Sequence, residues 1–523
     1  MKVIDPDREE NTTQFVYDVG DRPHYLNEIV DPLGRSGVRT EYDEQGRLKR
    51  TIDVDDDAIE FIYDPNNSIQ TVRDAYGNPT TYEYDDRGNV VQQQNAYGHS
   101  TFLVYDEDNN ITKVTDPNGN IATYIYDNKG NVLTRTEFHN PDDQNPDTTR
   151  YTYDRFGNQT SITLPTGATF EMKYDSKGNL LEMRDDGDNL IQSFTYDSRG
   201  LITSESDPFG TTRYSNFDRF GNPHQIQDPD GKVTTATYTS QGLLETMTDE
   251  DGISTFTYDK EGREKRADYG NGIYVEYDYE GAGRDWTTLD APTIGHIERR
   301  FTDDGKLGGW LTPGEGEITF TYDRAGRLET ETDPSGNITR YTYDAVGRVQ
   351  TVTDEQTGLI TEYHYDTLIG DDPDPDVDDN LIGRQTGQTI VLDGNTRYTN
   401  SSTYYADGQV KTTTDPRNNT WFYRYTPTTT TIIDPLGRET TTVQSSEYLP
   451  VEILYPDGTR ETSEYLFGNN LSEGDEYPTV LTDRGGNDRT YTYDELGRLQ
   501  TATDLGDCVA FCGSTSNEHD ENH

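Results

Sequence analysis

Apolar and polar residues alternate over short segments of the chain, and the segment IATYIYDNKGNVLTRTE at residues 121–137 shows this clearly. Tyr124 and Tyr126 are two residues apart, so they lie on one face of a strand. The next four residues, DNKG, reverse the chain, because Gly130 supplies the positive φ that a short hairpin loop with a bulge needs. Period-two alternation then resumes at Val132. The segment predicts a β-hairpin.

A second turn signal ends each such hairpin. The tetrapeptide DPNG at residues 116–119 has Asp, Pro and Gly at the positions that a type I turn prefers. The same turn sequence, Asp-Pro-x-Gly, recurs at residues 31–34, 207–210, 333–336 and 434–437. One unit of the pattern therefore consists of a strand, a glycine turn, a strand and a proline turn.

This unit repeats at a nearly constant interval. Tyr42, Tyr63, Tyr84, Tyr105 and Tyr126 are each 21 residues apart. Such a period predicts a repeat architecture. We expect an all-β protein in which about fifteen or more antiparallel hairpins form a spiral sheet with almost no helix, and in which the tyrosine pairs stack in rows. The residues that define the repeat are Tyr63, Asp64, Tyr84, Asp85, Gly88, Tyr126, Asp127, Gly130, Tyr153, Asp154, Gly157, Tyr174, Asp175, Gly178, Tyr322, Asp323, Gly326, Tyr343, Asp344, Gly347, Tyr493, Asp494 and Gly497.

Composition adds a strong negative charge to this picture. The 98 acidic residues outnumber the 44 Lys and Arg residues and give a formal net charge of -54. Such a surface repels phosphate backbones and anionic lipids, so nucleic acid and membrane surfaces are poor partners. Abundant carboxylates with little lysine favour a protein from a salt-loving microbe, and a calcium-dependent surface protein is the alternative. Only 30% of the residues are hydrophobic, but 38 tyrosines between regular turns favour a folded chain.

Targeting and cross-linking signals are few. The sequence contains no apolar run of about 18 residues, the length that could span a bilayer. The N-terminal residues lack the apolar core of a signal peptide. The two cysteines, Cys508 and Cys512, lie close to the C-terminus, so the body of the chain has no disulfide framework.

The combination of YDxxGN/R and DPxG at a 21-residue period resembles the YD repeat of the rearrangement-hotspot (RHS) family, and the resemblance extends from about residue 14 to about residue 504. That family includes shells of bacterial polymorphic toxins, wall-associated repeat proteins and the animal teneurins. The resemblance implies a hollow β-shell that encloses or presents a toxin, another effector or a surface module. It further implies an extracellular or cell-surface location and a scaffold that is not an enzyme and has no cofactor.

Carbohydrate binding, which older descriptions attribute to the repeats, leaves a second interpretation open, a surface adhesion module whose partners are glycans. The expected partners are otherwise an encapsulated effector or flanking domains of a longer protein. The sequence lacks the proline-containing core and the DPxGL cleavage signature of the toxin shells. We expect a fragment of a larger shell, with an array over residues 1–506, acidic insertions near 139–147 and 367–397, and a disordered polar tail at 507–523.

The remaining candidates for chemistry are weak. The aspartate of each YD turn is expected to accept backbone N–H bonds within its loop and not to act in catalysis. Asp372, Asp374, Asp376 and Asp378 alternate as calcium ligands do, but the run lacks the glycine and glutamate of an EF-hand, and two prolines favour a solvated insertion. Four terminal residues offer zinc ligands, although their spacing is too short for an ordinary finger and we favour a frayed tail. These residues are Cys508, Cys512, His519 and His523.

Overall fold

The computed structural model describes residues 2–3, 13–19, 22–30, 36–138, 146–260, 262–279, 286–302, 305–367, 381–392, 396–465, 477–494 and 497–504. The described residues contain strands and turns and no helix, which confirms the all-β prediction. The chain divides into two compact units. The first comprises residues 1–118, 252–369 and 381–400, and the second comprises residues 119–251, 370–380 and 401–523.

The strands follow one another in chain order. In residues 1–118 they are β1 Lys2–Val3, β2 Thr13–Val19, β3 Arg22–Val30, β4 Ser36–Tyr42, β5 Leu48–Ile52, β6 Ala58–Asp64, β7 Ile69–Arg73, β8 Pro79–Tyr84, β9 Val90–Gln94, β10 Ser100–Tyr105 and β11 Ile111–Thr115. In residues 119–251 they are β12 Ile121–Tyr126, β13 Val132–Phe138, β14 Asp147–Tyr153, β15 Gln159–Thr163, β16 Thr169–Tyr174, β17 Leu180–Arg184, β18 Leu190–Tyr196, β19 Ile202–Ser206, β20 Thr211–Phe217, β21 Pro223–Gln227, β22 Val233–Tyr238 and β23 Leu244–Thr248.

The second half of the chain continues in the same way. From residue 252 the first unit contains β24 Ile253–Tyr258, β25 Glu264–Asp268, β26 Tyr274–Asp278, β27 Thr288–Ala291, β28 Gly295–Phe301, β29 Leu307–Thr312, β30 Gly316–Tyr322, β31 Leu328–Thr332, β32 Ile338–Tyr343, β33 Val349–Asp354, β34 Leu359–Tyr365 and β35 Gln385–Leu392. The remaining strands are β36 Thr396–Tyr404, β37 Val410–Thr414, β38 Thr420–Thr426, β39 Thr429–Ile433, β40 Glu439–Gln444, β41 Pro450–Leu454, β42 Arg460–Tyr465, β43 Pro478–Thr482, β44 Asp488–Tyr493 and β45 Leu499–Asp504.

Sequence-adjacent strands within each unit pair in antiparallel fashion, and the register repeats from hairpin to hairpin. In the β14–β15 hairpin, Tyr151 lies opposite Ile162 and Thr152 lies opposite Ser161. The register then shifts by a bulge between Thr152 and Tyr153. The same shift occurs before Tyr126 in β12 and in many other hairpins. A type I turn followed by a glycine bulge produces this offset.

The two faces of each hairpin differ chemically because side chains alternate along a strand. Tyr151, Tyr153 and Ile162 share one face and are half-buried. The opposite face has hydroxyl pairs across the strands, such as Thr152 with Ser161 at 2.7 Å. Phe170 in β16 belongs to the apolar face and is among the most buried side chains of the described residues. Cross-strand pairs of this kind are the usual unit of sheet stabilisation.

Within each unit, distant parts of the chain lie beside each other. In the first unit, Arg324 Nε donates to Asp57 Oδ1 at 2.6 Å across 267 residues. In the second unit, Thr166 Oγ1 donates to the carbonyl oxygen of Ser446 at 2.7 Å across 280 residues. Phe209 of the same unit lies 4.7 Å from the ring of Tyr477. A spiral of hairpins requires such contacts between successive passes of the chain.

Candidate functional site

The aspartate turn is the feature that recurs most often in the structure. In the turn at residues 127–131, the N–H of Gly130 donates to the carbonyl oxygen of Asp127 at 3.2 Å, and the N–H of Asp127 donates to the carbonyl oxygen of Asn131 at 2.9 Å. Gly130 has a φ of 84°, a conformation that L side chains rarely adopt. The repeat glycines Gly157, Gly178 and Gly347 have φ values of 93°, 89° and 90°.

The aspartate side chain closes this turn. Asp127 Oδ1 accepts the N–H groups of Lys129 at 2.8 Å and Asn131 at 3.0 Å. Asp127 Oδ2 accepts Asn131 Nδ2 at 2.8 Å. The hydrogen bond from the Asn131 side-chain amide, followed by the hydrogen bonds from backbone N–H groups, lowers the pKa of Asp127 below its ordinary value. The carboxylate therefore stays ionised as a turn acceptor, and we call this arrangement the aspartate clamp.

The clamp has two main chemical versions, which differ in the residue four positions after the aspartate. The asparagine version occurs with Asn89, Asn110, Asn131, Asn158, Asn179 and Asn222. The arginine version occurs with Arg47, Arg263, Arg327, Arg348, Arg438 and Arg498, where the guanidinium Nε donates to the same aspartate oxygen. Asn and Arg can both occupy this position because each presents an N–H donor at the distance that the carboxylate requires.

The arginine version also reaches the next hairpin. The Arg327 guanidinium lies 4.4 Å from the ring centre of Tyr343, and that of Arg348 lies 4.3 Å from the ring centre of Tyr365. Arg47 on Tyr63 and Arg263 on Tyr279 repeat the contact at 4.6 and 4.3 Å. Cation–π contacts of this geometry add about 0.5–1 kcal/mol at exposed sites. Each of these four arginines thus binds its own turn and the following tyrosine.

Arg348 makes the largest set of these contacts. Its Nε donates to Asp344 Oδ2 at 2.8 Å, and its terminal nitrogens donate to both oxygens of Asp366 at 2.8 and 2.7 Å. The bonds to Asp366 and Asp344 raise the pKa of Arg348 further above its ordinary value. Asp366 Oδ1 also accepts the N–H of Gly383 at 2.7 Å. This network joins the turn at residues 344–348 to Asp366 and, through Asp366, to Gly383.

The second tyrosine of each strand links neighbouring hairpins. Tyr343 Oη donates to the carbonyl oxygen of Leu328 at 2.7 Å, and Tyr196 Oη does the same to Leu180 at 2.7 Å. The acceptor is the residue that follows the clamp of the preceding turn. Burial raises the pKa of Tyr343 and of Tyr196, so both hydroxyls stay protonated and able to donate.

The prediction that tyrosine rings stack in rows is wrong for the described residues. Equivalent tyrosines of successive hairpins are two strands apart, which is about 9.6 Å. Ring pairs interact at centre distances of about 4.5–7 Å. Ring contacts occur instead at irregular positions, such as Tyr25 with Tyr42 at 4.8 Å and Tyr477 with Tyr493 at 5.2 Å. The recurring partners of the second tyrosine are a carbonyl oxygen and, in the arginine version, a guanidinium.

A third feature lies at the opposite hairpin ends and was not anticipated from the sequence. Tyr97, the third residue of its turn, accepts the N–H of Ala345 at 3.3 Å, and Arg348 lies 5.8 Å from its ring centre. Asn118 holds the same turn position and exchanges two hydrogen bonds with Ile382, at 3.0 and 2.9 Å. The unusual aromatic in the turn sequence NAYG is the only sequence signal for this contact.

Two family models match the chain. The model described as RHS Repeat matches residues 174–212, 217–254 and 322–358. The model described as Teneurin YD-shell matches residues 59–184. These segments are RHS/YD repeats. The matched residues include both versions of the clamp, so the family pattern and the aspartate turn coincide.

Solved structures resemble this RHS/YD-repeat protein in fold. The crystal structure of TcdB2-TccC3 has a TM-score of 0.44 and 16% identity, with 89% of this chain and 30% of that chain covered. The Tc holotoxin pore of Photorhabdus luminescens, with a mutated TccC3, gives 0.43 and 16%, with 89% and 29% covered. TcdB2-TccC3 without its hypervariable C-terminal region gives 0.44 and 15%, with 95% and 33% covered. The chain spans about a third of the length of these chains. No curated protein matches it in sequence.

The metal candidates of the sequence lie outside the described residues. These are Asp372, Asp374, Asp376 and Asp378 for calcium and Cys508, Cys512, His519 and His523 for zinc. Among the residues that the structure describes, no group of three or more His, Cys, Asp or Glu side chains is placed to hold a metal ion. The same part of the chain contains no helix long and apolar enough to cross a membrane.

Proposed function

We propose that this RHS/YD-repeat protein is a non-enzymatic scaffold, part of a shell that encloses or presents an effector or a surface module. One observation carries the proposal: the repeated side chains that could perform chemistry are engaged in holding hairpins together. Asp154 accepts three hydrogen bonds within its own turn, from Phe156, Asn158 and the Asn158 amide. The tyrosine hydroxyls of the repeat bond to backbone carbonyls of the preceding hairpin.

A scaffold made of repeats needs contacts between neighbours and between passes, and both are present. The turn edge of the second unit has a ladder of basic side chains, each of which bonds the next turn. Lys177 Nζ donates to the carbonyl oxygen of Ser198 at 2.8 Å. Arg199 Nη1 donates to the carbonyl oxygen of Asp218 at 3.0 Å. Such nearest-neighbour bonds give a repeat protein its stiffness. A stiff wall is what enclosure or presentation requires.

We further propose an extracellular or cell-surface location for the protein. We propose no cofactor for it, because the clamps are closed by residues of the chain itself. An enclosed effector or flanking domains of a longer protein would be its partners. The adhesion alternative, a glycan-binding module, requires exposed aromatic platforms with free hydroxyls. Bonding of hydroxyls such as those of Tyr196 and Tyr343 within the sheet favours the scaffold over that alternative.

Enclosure is tested by protection of cargo from protease. The chain is expressed together with the products of the neighbouring reading frames, and any complex is digested with trypsin. We expect the cargo to survive in the complex and to be cut at once when free. A double variant, Gly157→Val with Gly347→Val, strains one hairpin in each unit and serves as the control, because it should shorten the protection.

Cargo that is digested equally fast with and without the chain would contradict enclosure. A glycan array addresses the adhesion alternative separately. Saturable binding to one glycan class, retained by the double glycine variant, would favour adhesion over the shell.

A further inference from the structure

The chain contains several Asn-x-Ser/Thr sequences, which are acceptor sequences for N-linked glycosylation when they are accessible. In the described residues they begin at Asn66, Asn110, Asn158, Asn337, Asn400 and Asn418. We propose that Asn66 and Asn418 are acceptors for N-linked glycans in the folded protein and that the aspartate clamp protects Asn110, Asn158 and Asn337. The occurrence of glycans on cells rests on the proposed surface location.

Three of these asparagines are members of a clamp. Asn110 Nδ2 donates to Asp106 Oδ2 at 3.0 Å, and Asn158 Nδ2 donates to Asp154 Oδ2 at 2.9 Å. Asn337 Nδ2 donates to Asp333 Oδ2 at 2.7 Å. All three side chains are half-buried. Their amide nitrogens reach a transferring enzyme only after the turn has opened.

Asn66 and Asn418 differ because the next residue is also asparagine. In the turn at residues 64–68, Asn67 Nδ2 bonds Asp64 Oδ2 at 2.6 Å. In the turn at residues 415–419, Asn419 Nδ2 bonds Asp415 Oδ2 at 2.8 Å. The second asparagine of each pair therefore makes the clamp, and the first is left exposed at the tip of the turn.

The two exposed amides make no side-chain hydrogen bond within the described part of the chain. Asn418 has a φ of 61°, in the left-handed region, and its side chain is exposed. Asn400, by contrast, lies inside β36, and its Oδ1 accepts the N–H of Gln388 at 2.9 Å. We expect Asn400 to remain unmodified because its strand holds the backbone extended.

The modification needs a co-reactant, an oligosaccharide joined to a polyprenol through pyrophosphate. A bond forms between asparagine Nδ2 and the anomeric carbon of the sugar. The bond from that carbon to the pyrophosphate oxygen breaks, and the lipid pyrophosphate leaves with the electron pair. The amide gives up one proton to a base of the transferring enzyme. An accessible Nδ2 is the only requirement that falls on this chain.

The test uses the purified folded chain, an oligosaccharyltransferase that requires only Asn-x-Ser/Thr, and its lipid-linked oligosaccharide. Peptide mass spectrometry measures occupancy at each site. We expect Asn66 and Asn418 to be modified and the clamped sites to be modified about tenfold less, the ratio that corresponds to about 1.4 kcal/mol. Short synthetic peptides that span each sequence should all be modified. These peptides control for the preference of the enzyme.

Asp154→Ala sharpens the test, since it frees the Asn158 amide and leaves the clamp of Asn337 intact. Occupancy at Asn158 should then rise while occupancy at Asn337 stays low. Asn66→Gln and Asn418→Gln should each remove one glycan. Equal occupancy of free and clamped sites in the folded chain would overturn the proposal, as would unmodified Asn66 and Asn418 when their peptides are accepted. Because the components are purified, the outcome does not depend on the proposed cellular location.

Discussion

The hairpins of residues 121–222 and those of residues 253–365 share one backbone plan and differ in the side chain that completes the clamp. The first group uses asparagine, as at Asn131, Asn158 and Asn179. The second uses arginine in its Tyr-Asp turns, as at Arg263, Arg327 and Arg348, and asparagine in the proline turn at residues 333–337. The amides of Asn131, Asn158 and Asn179 bond only the aspartate of their own turn, whereas an arginine adds an ion pair and a contact with the next tyrosine. The same turn thus couples neighbouring hairpins with different strength.

The distance to the next turn shows the difference at the asparagine sites. A methyl group added to Gly178 would lie 3.5 Å from Asn158 Oδ1, which is ordinary van der Waals contact. The Asn158 amide therefore lies near the following turn but does not bond to it. In the arginine group, Arg327 and Arg348 lie 4.4 and 4.3 Å from the following tyrosine rings. We infer that the clamp itself couples neighbouring hairpins in the arginine group. In the asparagine group this coupling comes from other side chains, such as Lys177 and Arg199, that bond the next turn.

The largest expected effect is that of replacing Arg348 with methionine. The variant leaves two carboxylates without their partner, and the side chains of Asp344 and Asp366 are only 6% and 14% exposed. We expect a loss of about 2–4 kcal/mol in local stability, somewhat below the value for a fully buried pair because water reaches part of the guanidinium. Hydrogen exchange of residues 338–392 measures the loss.

Asn158→Ala is the matched change in the asparagine group. It removes a neutral donor from one clamp, and we expect it to cost about 1 kcal/mol. Equal losses at the two sites would contradict the idea that the arginine couples more hairpins than the asparagine does.

Valine in place of the turn glycine tests what the two groups share. Gly157 and Gly347 have φ values of 93° and 90°, so a β-branched residue strains both turns alike. We expect each substitution to cost about 1–3 kcal/mol. Hydrogen exchange should show the loss around residues 148–178 for Gly157→Val, with distant repeats little changed, because repeats interact mainly with their neighbours. Unaltered protection in that range would show that the turn tolerates a side chain.

The hydrogen bond of the second tyrosine occurs in both groups of hairpins and should contribute less to stability. Tyr343→Phe leaves the carbonyl oxygen of Leu328 without its donor and should cost about 1 kcal/mol. Tyr341→Phe is the control, because the Tyr341 hydroxyl makes no hydrogen bond within the described residues. Thermal unfolding of the three proteins compares the effects. A similar shift in both variants would assign the loss to ring packing and not to the hydroxyl.

The turns and the strands could be predicted from the sequence because their causes are local. A glycine three residues after an aspartate and alternation around it are sufficient to specify a hairpin, and Gly130 and Gly157 adopt the expected positive φ. The partners of the tyrosines could not be predicted in this way. They depend on the distance between equivalent residues of successive hairpins, which the 21-residue period does not reveal.

The role of the residue after the glycine was equally hidden. Asn158 and Arg348 look interchangeable in sequence, and only the structure shows that the guanidinium reaches Tyr365. Contacts between passes, such as Tyr97 with Ala345, are separated by 248 residues and leave little local signal. The long-range contacts were therefore the part of the fold and of the candidate site that could not be predicted from the sequence.

Acid should weaken the asparagine clamps. The pKa values of Asp127, Asp154 and Asp175 lie below the ordinary value of 3.8, first because an asparagine amide bonds each carboxylate. Their contribution to stability is therefore complete above about pH 4 and is lost as the pH falls through the lower folded-state values. Hydrogen exchange of residues 121–184 between pH 5 and pH 2, corrected for the intrinsic rate, measures this loss. Asp154→Asn should make the local stability of its hairpin less sensitive to acid.

Alkali should act on both groups alike. Burial raises the pKa of Tyr196 and of Tyr343 above 10.0, so each hydroxyl bond stabilises the protein below pH 10 and is lost as the pH rises through the higher folded-state value. Circular dichroism between pH 9 and pH 12 follows the loss. An alkaline transition confined to one group of hairpins would contradict a shared tyrosine bond.

Salt should separate the two groups by the smallest amount. The net charge of -54 destabilises the compact chain at low ionic strength, and the screening length falls from about 30 Å at 0.01 M to about 3 Å at 1 M. We therefore expect the melting temperature to rise with KCl into the molar range. A rise with millimolar Ca²⁺ alone would favour the calcium alternative, and a melting temperature independent of salt would count against the salt-loving origin.

Within this general gain, the arginine hairpins should gain less, because KCl also screens the arginine–aspartate ion pairs of their clamps, which the asparagine clamps lack. The bond of Arg327 to Asp323, at 2.7 Å, is partly exposed, and such pairs contribute about 0.2–1 kcal/mol. We expect the difference between residues 316–365 and residues 121–184 to be a few tenths of a kcal/mol in hydrogen exchange at 0.1 and 2 M KCl. Arg327→Gln should bring its hairpin to the salt response of the asparagine group. Parallel responses in the unmodified protein would show that the guanidinium acts through its contact with Tyr343 and hardly through its charge pair.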